Sequence, residues 1–155
     1  MNKNSHCCQM GEKPPATIRK FKPKDINQIT KIEEQAFPKT AYSKHTFLNY
    51  GTSFPDTFSV IETEDDIVGY IIFDRDGHIH STAVKRTDRR KGFGRILFMH
   101  ALKYARKRLW LEVRSKNSGA IAFYKSLGMK IAGKIPNYYG SDDALIMVMT
   151  KKEYG

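Results

Sequence analysis

The sequence predicts a single α/β domain, in which a mixed, mostly antiparallel sheet of six to seven strands is flanked by about four helices. Three observations lead to this prediction. The 155 residues suffice to bury one core. Apolar runs of strand length alternate with segments whose apolar residues recur at helical spacing. Capping and turn residues separate these segments.

The first half of the chain favours four strands and two helices. The helices begin at the capping residues Asp25 and Ser43, and the first of them ends before Pro38. The acidic turn at residues 64–66 and the Asp76-Gly77 turn separate the later strands. The predicted strands are the runs at residues 16–21, 58–61, 67–73 and 78–84.

The second half favours two helices and three further strands. Apolar residues at helical spacing predict a helix from Gly92 to about Arg108. A second helix begins at the capping residue Asn117 and stops at Gly128. The predicted strands are the runs at residues 109–113, 129–132 and 144–149.

Residues 1–15 are predicted to form a disordered tail, which leaves 16–155 as the folded domain. The tail has no apolar middle section of the kind that a secretory signal needs, and the chain has no apolar run of membrane-spanning length. The adjacent Cys7 and Cys8 cannot form a disulfide that cross-links the fold. His6 lies beside them, but the sequence has no second cluster of cysteine and histidine to complete a zinc site. We expect a cytoplasmic protein, monomer or homodimer, without a membrane partner.

Positive charge is concentrated in one stretch of the chain. Residues 85–116 contain twelve lysines and arginines against Asp88 and Glu112, a net +10 of the +11 carried by the whole sequence. A field of this density predicts a polyanionic partner, either nucleic acid or a phosphorylated cofactor. Charge alone does not choose between them.

The loop from Arg89 to Gly94, Arg-Arg-Lys-Gly-Phe-Gly, follows a predicted strand and opens a helix. Amide groups at a helix N-terminus stabilise anions, and glycine lets the backbone come close to a phosphate. A dinucleotide-binding fingerprint would need glycine where Leu97 stands, and a Walker loop would need Gly-Lys-Ser/Thr. What remains is an anion site of the form Arg-x-x-Gly-x-Gly, or a flexible turn with solvated charges.

That loop resembles the signature of the Gcn5-related N-acetyltransferase (GNAT) family, and the resemblance runs from about Thr17 to Thr150. Further motifs look like the RimI branch, whose members acetylate protein N-terminal α-amines, including that of a ribosomal protein. The chain has Arg86 where the family usually has proline and Tyr42 where the branch often has tryptophan. The branch-like motifs are Ile32-Glu33 with Phe37-Pro38, Leu111 to Asn117, Tyr124 to Met129, and Asn137-Tyr138-Tyr139 with Asp143-Ala144.

The resemblance implies acetyl-CoA as cofactor and assigns residues to hold it. A backbone N–H near Ala83 or Val84 would stabilise the oxyanion. Asn117, which is first a helix cap, would also contact the pantetheine arm. The implied cofactor-binding residues are Ala83, Val84, Arg89, Arg90, Lys91, Gly92, Phe93, Gly94, Arg95, Asn117 and Tyr124.

Glu112 and Tyr124 are the candidate catalytic residues. Glu112 lies in an apolar strand, where a carboxylate is costly unless paired, and pairing with Arg114 on the same face is the structural alternative. Tyr124 lies on the apolar stripe of its helix, where a core tyrosine is the structural alternative. The resemblance places Glu112 in the role of general base and Tyr124 in that of general acid.

Aromatic and histidine residues are further candidates. By resemblance Tyr138 and Tyr139, with Phe37 and Pro38, frame the slot that receives the acceptor, although the tyrosines could simply be strand-edge aromatics. His78 and His80 share one strand face. Since no carboxylate partner is evident for these histidines, surface or core roles are favoured over a metal site, with a minor acid/base role left open.

The leading hypothesis is an acetyl-CoA-dependent acetyltransferase that acts on a protein or peptide N-terminus. A small-molecule amine, such as a polyamine or antibiotic, is the alternative acceptor. The basic stretch also predicts a transient contact with RNA or the ribosome. A non-catalytic acyl-CoA sensor is a third possibility, and the presence of both Glu112 and Tyr124 argues against it.

Overall fold

The computed structural model describes residues 16–64 and 66–154, so Cys7, Cys8 and the rest of the predicted tail lie outside it. The helices are α1 (Ile26–Ala36), α2 (Lys44–Ser53), α3 (Phe93–Tyr104), α4 (Ser118–Leu127) and α5 (Lys151–Tyr154). The strands are β1 (Ala16–Lys20), β2 (Phe58–Thr63), β3 (Asp66–Phe73), β4 (Ile79–Val84), β5 (Arg108–Arg114), β6 (Lys130–Ile135) and β7 (Ala144–Thr150). The predicted α/β class is confirmed.

The strands form two antiparallel sheets. The first has four strands in the order β1-β2-β3-β4, and the second has three in the order β5-β7-β6. A parallel bridge between His78 and Trp110 joins them, supported by a 2.8 Å hydrogen bond from Trp110 N–H to the Gly77 carbonyl. The single mixed sheet expected from sequence is therefore divided at the boundary between β4 and β5.

Two apolar clusters hold the layers together. The larger packs α3 and α4 against both sheets and includes Leu97, Leu109 and Met147, all fully buried. The smaller packs α1 and α2 against the first sheet, with Phe47 and Tyr70 in edge-to-face contact. Burying apolar area on both faces of the sheets supplies the main driving force for this arrangement.

One predicted helix boundary was wrong, and one predicted cap is in place without its capping bond. Helix α3 ends at Tyr104, where the chain becomes extended at Ala105, and the Lys151 ammonium binds the carbonyls of Lys103 and Ala105. Asp25 occupies the N-cap position of α1, as predicted, but its side chain makes no capping hydrogen bond. Its carboxylate instead accepts hydrogen bonds from the Arg19 guanidinium and the Lys22 N–H of the preceding turn.

The capping predictions for α2 and α4 are confirmed. Ser43 Oγ accepts from Thr46 N–H at 3.2 Å, and Asn117 Oδ1 accepts from Ala120 N–H at 3.1 Å. Gly128 ends α4 with φ +109°, a left-handed conformation that favours glycine.

Of the helices in residues 16–64 and 66–154, none has the length and apolar content that crossing a bilayer requires.

Candidate active site

Beyond the bridge that joins them, the described residues of β4 and β5 are not paired, and this unpaired stretch is named the gap between β4 and β5. The two strands run parallel from His78 and Trp110, yet they belong to different sheets. Past this bridge, the described residues of β4 form no ladder with β5. Backbone groups on the facing edges of the strands are therefore available to a ligand lying between them.

The register of β4 shows which of its amides face this gap. Lys85 N–H donates to the Val68 carbonyl at 2.7 Å, which makes Val84 and its partner Gly69 a pair without direct hydrogen bonds. The N–H and carbonyl of Val84 consequently point away from β3. The Val84 carbonyl accepts a 3.0 Å hydrogen bond from Arg89 Nε, in agreement with this direction.

The glycine loop turns directly from this edge into α3. Arg90 has φ +64° and Gly92 has φ +92°, so the chain twice adopts the left-handed conformation before the helix begins. The first helical hydrogen bond runs from Ile96 N–H to the Gly92 carbonyl. Amides ahead of it have no partner within the helix and converge at its positive end, as an anion site requires.

Gly94 brings α3 against α4. A Cβ at Gly94 would lie 2.9 Å from Cζ of Phe123. Because glycine has no side chain, the two helices can pack this closely. The Phe123 ring also contacts Tyr124 at 5.5 Å between ring centroids. The phosphate loop and Tyr124 are thus held in one packed unit.

The residues of the loop fit a phosphorylated cofactor such as coenzyme A. Arg90 and Arg95 are exposed beside the helix N-terminus, and Lys91 forms a 3.2 Å ion pair with Asp88 that orders the preceding turn. Exposed guanidinium groups near free amides suit a pyrophosphate. Arg89 is directed back to Val84, which ties the loop to the β4 edge.

Glu112 is held by a histidine. His78 Nε2 and Glu112 Oε1 are 2.8 Å apart and share a hydrogen bond, with both side chains about one-fifth exposed or less. The alternative pairing of Glu112 with Arg114 was wrong. Arg114 pairs instead with Asp142 at 3.2 Å, and its guanidinium lies 4.3 Å from the centre of the Tyr139 ring.

The connection between β6 and β7 brings Tyr139 to the other side of the site. Asp142 and Asp143 anchor this connection through the basic side chains of Arg114 and Lys134. Burial raises the pKa of the Tyr139 hydroxyl, and the nearby Glu112 charge raises it further. The Arg114 guanidinium, two positions along β5 from Glu112, lies 4.3 Å from the centre of the Tyr139 ring, so Tyr139 lies beside this strand.

Tyr124 packs against the larger apolar cluster, which contains Leu111 and Val113 on either side of Glu112 in β5. Burial, followed by the influence of Tyr139, raises the pKa of the Tyr124 hydroxyl to about 12. None of the described side chains hydrogen-bonds this hydroxyl. It therefore stays protonated at neutral pH and is free to donate.

The α1–α2 connection carries aromatic side chains. Burial, above all, raises the pKa of Tyr42, and the Tyr50 hydroxyl raises it further. Phe37, in the same connection, has an exposed side chain, and Tyr138 of the β6–β7 connection is 49% exposed. Both connections thus present aromatic side chains at the surface.

Glu33 holds the α1–α2 connection in place. Its buried carboxylate accepts hydrogen bonds from the Tyr42 N–H at 3.0 Å and from the Tyr70 hydroxyl, which also contacts Ser81 of β4. Burial raises the pKa of this carboxyl group. The network couples the connection to the β4 strand.

The histidines have the carboxylate partners that the sequence did not reveal. His78 pairs with Glu112, and His80 Nε2 lies 3.1 Å from Asp74 Oδ2. His78 stacks on Trp110 with ring centres 3.9 Å apart. The sequence does not show that His78 pairs with Glu112, because β4 and β5 meet only in the folded chain. The pairing of His80 with Asp74 had a local signal, since these two residues flank the Asp76-Gly77 turn.

Comparisons with known proteins show the family to which the chain belongs. The acetyltransferase (GNAT) family matches residues 26–129. The chain is 33% identical to the putative ribosomal protein bS18-alanine N-acetyltransferase of Bacillus subtilis, across 91% of this chain and 99% of that protein. It is 32% identical to the N-alpha-acetyltransferase of Sulfurisphaera tokodaii, across 84% and 90% of the two proteins.

A solved structure shows the same likeness in three dimensions. The crystal structure of Ard1 from Thermoplasma volcanium superposes with a TM-score of 0.80 at 31% identity, covering 87% of this chain and 97% of that one. The family match, the full-length relatives and the shared fold are consistent with one another. The chain belongs to the acetyltransferase (GNAT) family and is an N-acetyltransferase that uses acetyl-CoA.

Proposed function

We propose that the protein acetylates the α-amine of protein N-termini, including that of a ribosomal protein. The observation that carries this proposal is the Glu112–His78 pair beside the gap between β4 and β5. A free α-amine has a pKa near 8, so a carboxylate oriented by an imidazole suffices to remove its proton. Relatives named for N-alpha and ribosomal-protein acetylation support the same acceptor class.

We assign the steps of acetyl transfer to Glu112, Val84 and Tyr124. Glu112, oriented by His78, takes the proton from the attacking amine directly or through water. The Val84 N–H would stabilise the thioester carbonyl oxygen, on which negative charge develops as the new C–N bond forms. The Tyr124 hydroxyl would give its proton to the departing sulfur as the C–S bond breaks. The products are the acetylated amine and the free thiol.

The coenzyme would be held from the β4 edge to α4. The pyrophosphate would meet the α3 N-terminus and its exposed arginines, and the pantetheine arm would lie along the gap. Asn117 Oδ1 already caps α4, and its side-chain NH2 group, which donates to none of the described residues, would serve that arm. The residues proposed for binding are Ala83, Val84, Arg89, Arg90, Lys91, Gly92, Phe93, Gly94, Arg95, Asn117 and Tyr124.

The acceptor would enter between the α1–α2 and β6–β7 connections. Phe37 and Pro38 on one side and Tyr138 and Tyr139 on the other supply apolar surface for the first residues of a chain. Arg114 holds the Tyr139 ring, and Glu33 holds the opposite connection. Rigid walls of this kind favour an extended peptide, since they lower the ordering cost of binding.

An acceptor screen tests the proposal. The full chain is incubated with acetyl-CoA and short peptides of varied first residue, with polyamines and aminoglycosides alongside, and products are identified by mass spectrometry. Acetylation at the peptide α-amine is the expected result. Modification of the polyamines alone would select the small-molecule alternative, and release of no thiol with any amine would exclude acetyl transfer to these classes.

We further propose a contact with RNA or the ribosome through the basic surface beyond the loop. Lys103, Lys107 and Arg108 lie at the end of α3 and the start of β5, remote in sequence from the pyrophosphate loop, and their side chains are exposed. Association with ribosomes that falls steeply between low and physiological salt would support this role. Absence of association at low salt would reject it without affecting the acetylation assay.

A further inference from the structure

Three potential metal ligands meet at the hairpin between β3 and β4. Asp74, His78 and His80 each offer a ligand atom, and these atoms all lie within 4.8 Å of one another. All three side chains are about one-quarter exposed or less. The cluster is therefore reachable by a small ion while being largely shielded from bulk water.

The hairpin holds these ligands in a defined arrangement. Asp74 N–H donates to the His78 carbonyl at 3.1 Å, and the His78 N–H donates to Asp74 Oδ1 at 3.2 Å. Alternation along the strand then puts His80 on the same face as His78, with ring centres 4.3 Å apart. Trp110 and Phe54 pack against the two imidazoles from either side.

The ligand set matches a transition-metal ion of intermediate softness such as Zn²⁺. Two imidazoles and one carboxylate, with a fourth position open, are a common set for Zn²⁺, whereas Mg²⁺ and Ca²⁺ prefer oxygen ligands alone. Tetrahedral Zn²⁺ brings ligand atoms to about 3.4 Å from one another, given bond lengths near 2.1 Å. The three ligand atoms, which all lie within 4.8 Å of one another, would approach one another to reach that geometry.

We propose that Asp74, His78 and His80 bind one Zn²⁺ ion, and that the bound ion inhibits acetyl transfer. Coordination engages His78, whose Nε2 otherwise shares a hydrogen bond with Glu112 Oε1. A metal-bound imidazole no longer accepts a proton, and the positive ion lowers the basicity of the adjacent carboxylate. The inhibitory part rests on the proposed function; the binding part does not.

Zinc binding is measured directly by isothermal titration calorimetry on the chelator-treated full chain. One Zn²⁺ per chain is expected at this site, and Asp74→Asn and His80→Gln should each weaken binding by about tenfold or more. His45→Gln, an exposed histidine of α2, is the matched control and should bind as the unaltered protein does. Mg²⁺ and Ca²⁺ should give no heat of binding.

The tail cysteines need a separate control because thiolates bind zinc tightly. The double variant Cys7→Ser, Cys8→Ser should retain the site. With Co²⁺ in place of Zn²⁺, it should show visible d–d bands without a thiolate charge-transfer band. Loss of all binding in this double variant would overturn the proposal, as would unchanged affinity in both Asp74→Asn and His80→Gln with thermal melting confirming that they are folded.

Inhibition is measured by counting acetylated peptide by mass spectrometry, since Zn²⁺ also binds the released thiol. The zinc concentration that halves the rate should rise about tenfold or more in Asp74→Asn. An identical half-inhibitory concentration in both proteins would overturn the inhibitory part. If no peptide is acetylated even without zinc, the proposed function fails while the calorimetry still decides on the site.

Discussion

At the scale of single residues, the role of Glu112 depends on what it touches. A carboxylate beside Trp110 and Arg114 in an apolar strand would serve structure if it paired with the arginine. Its hydrogen bond with His78 instead connects it to a group that can carry a proton. Arg114 is at the same time engaged by Asp142 and Tyr139. The observed pairings therefore favour a chemical role for Glu112 and a structural role for Arg114.

Replacement of the candidate base gives the first prediction. Glu112→Gln keeps the size of the side chain and removes its ability to take a proton, so kcat should fall by about 100-fold or more. Glu34→Gln, an exposed glutamate of α1, should leave kcat unchanged. The measurement is initial rate against peptide concentration at saturating acetyl-CoA. An undiminished kcat in Glu112→Gln would remove this residue from the chemistry.

The candidate acid is tested by removing one oxygen. Tyr124→Phe should lower kcat by about 100-fold while the dissociation constant for coenzyme A changes little, because proton donation is needed only as the thiolate leaves. None of the described side chains hydrogen-bonds this hydroxyl, so its loss leaves no partner unsatisfied. Tyr104→Phe on the exposed face of α3 serves as control. Equal losses in turnover and coenzyme affinity would contradict the role.

At the scale of elements, the junction between the two sheets depends on a close backbone contact. Gly77 has φ +96°, and a Cβ added to it would lie 1.7 Å from the Arg108 carbonyl oxygen. The hairpin and β5 approach each other here, and the Trp110 N–H donates to the Gly77 carbonyl. This approach brings His78 beside Glu112, so the glycine contributes to the site without touching a substrate.

Gly77→Ala should therefore disrupt both stability and activity. The left-handed conformation costs an alanine roughly 1–2 kcal/mol, and displacement of the Arg108 backbone adds to that loss. Gly140→Ala is the matched control, since Gly140 also has a positive φ of +83° but open space around its Cβ. Urea denaturation should show a clearly larger loss for Gly77→Ala. Equal losses in the two variants would mean that the contact contributes nothing.

At the scale of the whole molecule, a histidine links the helical layer to the first sheet. His100 of α3 packs edge-on against Phe73, and its Nε2 lies 3.2 Å from Ser59 Oγ of β2. Burial, and then the nearby Lys103 charge, lower the pKa of His100 below its ordinary value. Protonation therefore favours the unfolded chain, where the imidazole is hydrated.

This arrangement predicts loss of stability in mild acid. The unfolded chain binds a proton at His100 near pH 6.5 while the folded chain does not, so the free energy of unfolding should fall as pH drops from about 7 towards 5. His100→Gln should flatten that slope, and His45→Gln should leave it unchanged. Urea denaturation at several pH values is the measurement. An identical slope in His100→Gln and the unaltered protein would contradict the prediction.

Local signals determined much of the molecule in advance. Caps such as Ser43 and Asn117 were readable because a capping side chain bonds an amide only three residues away. The glycine loop could be predicted from the sequence for the same reason, since its positive φ angles and the helix start lie within a few consecutive residues. Class and element order therefore follow from short-range chemistry, as does the loop conformation on which the proposed anion site rests.

Long-range contacts decided the rest. The sequence alone showed Glu112, His78, His80 and Asp74 as separate residues with several possible partners. Only the parallel bridge of β4 to β5, and the hairpin that turns Asp74 back onto His80, joined them into pairs. The end of α3 likewise has a distant partner, since Lys151, 47 positions beyond Tyr104, donates to the carbonyls of Lys103 and Ala105. Such pairings depend on which strands become neighbours, and strand neighbours are chosen by burial of the whole core, which no local pattern encodes.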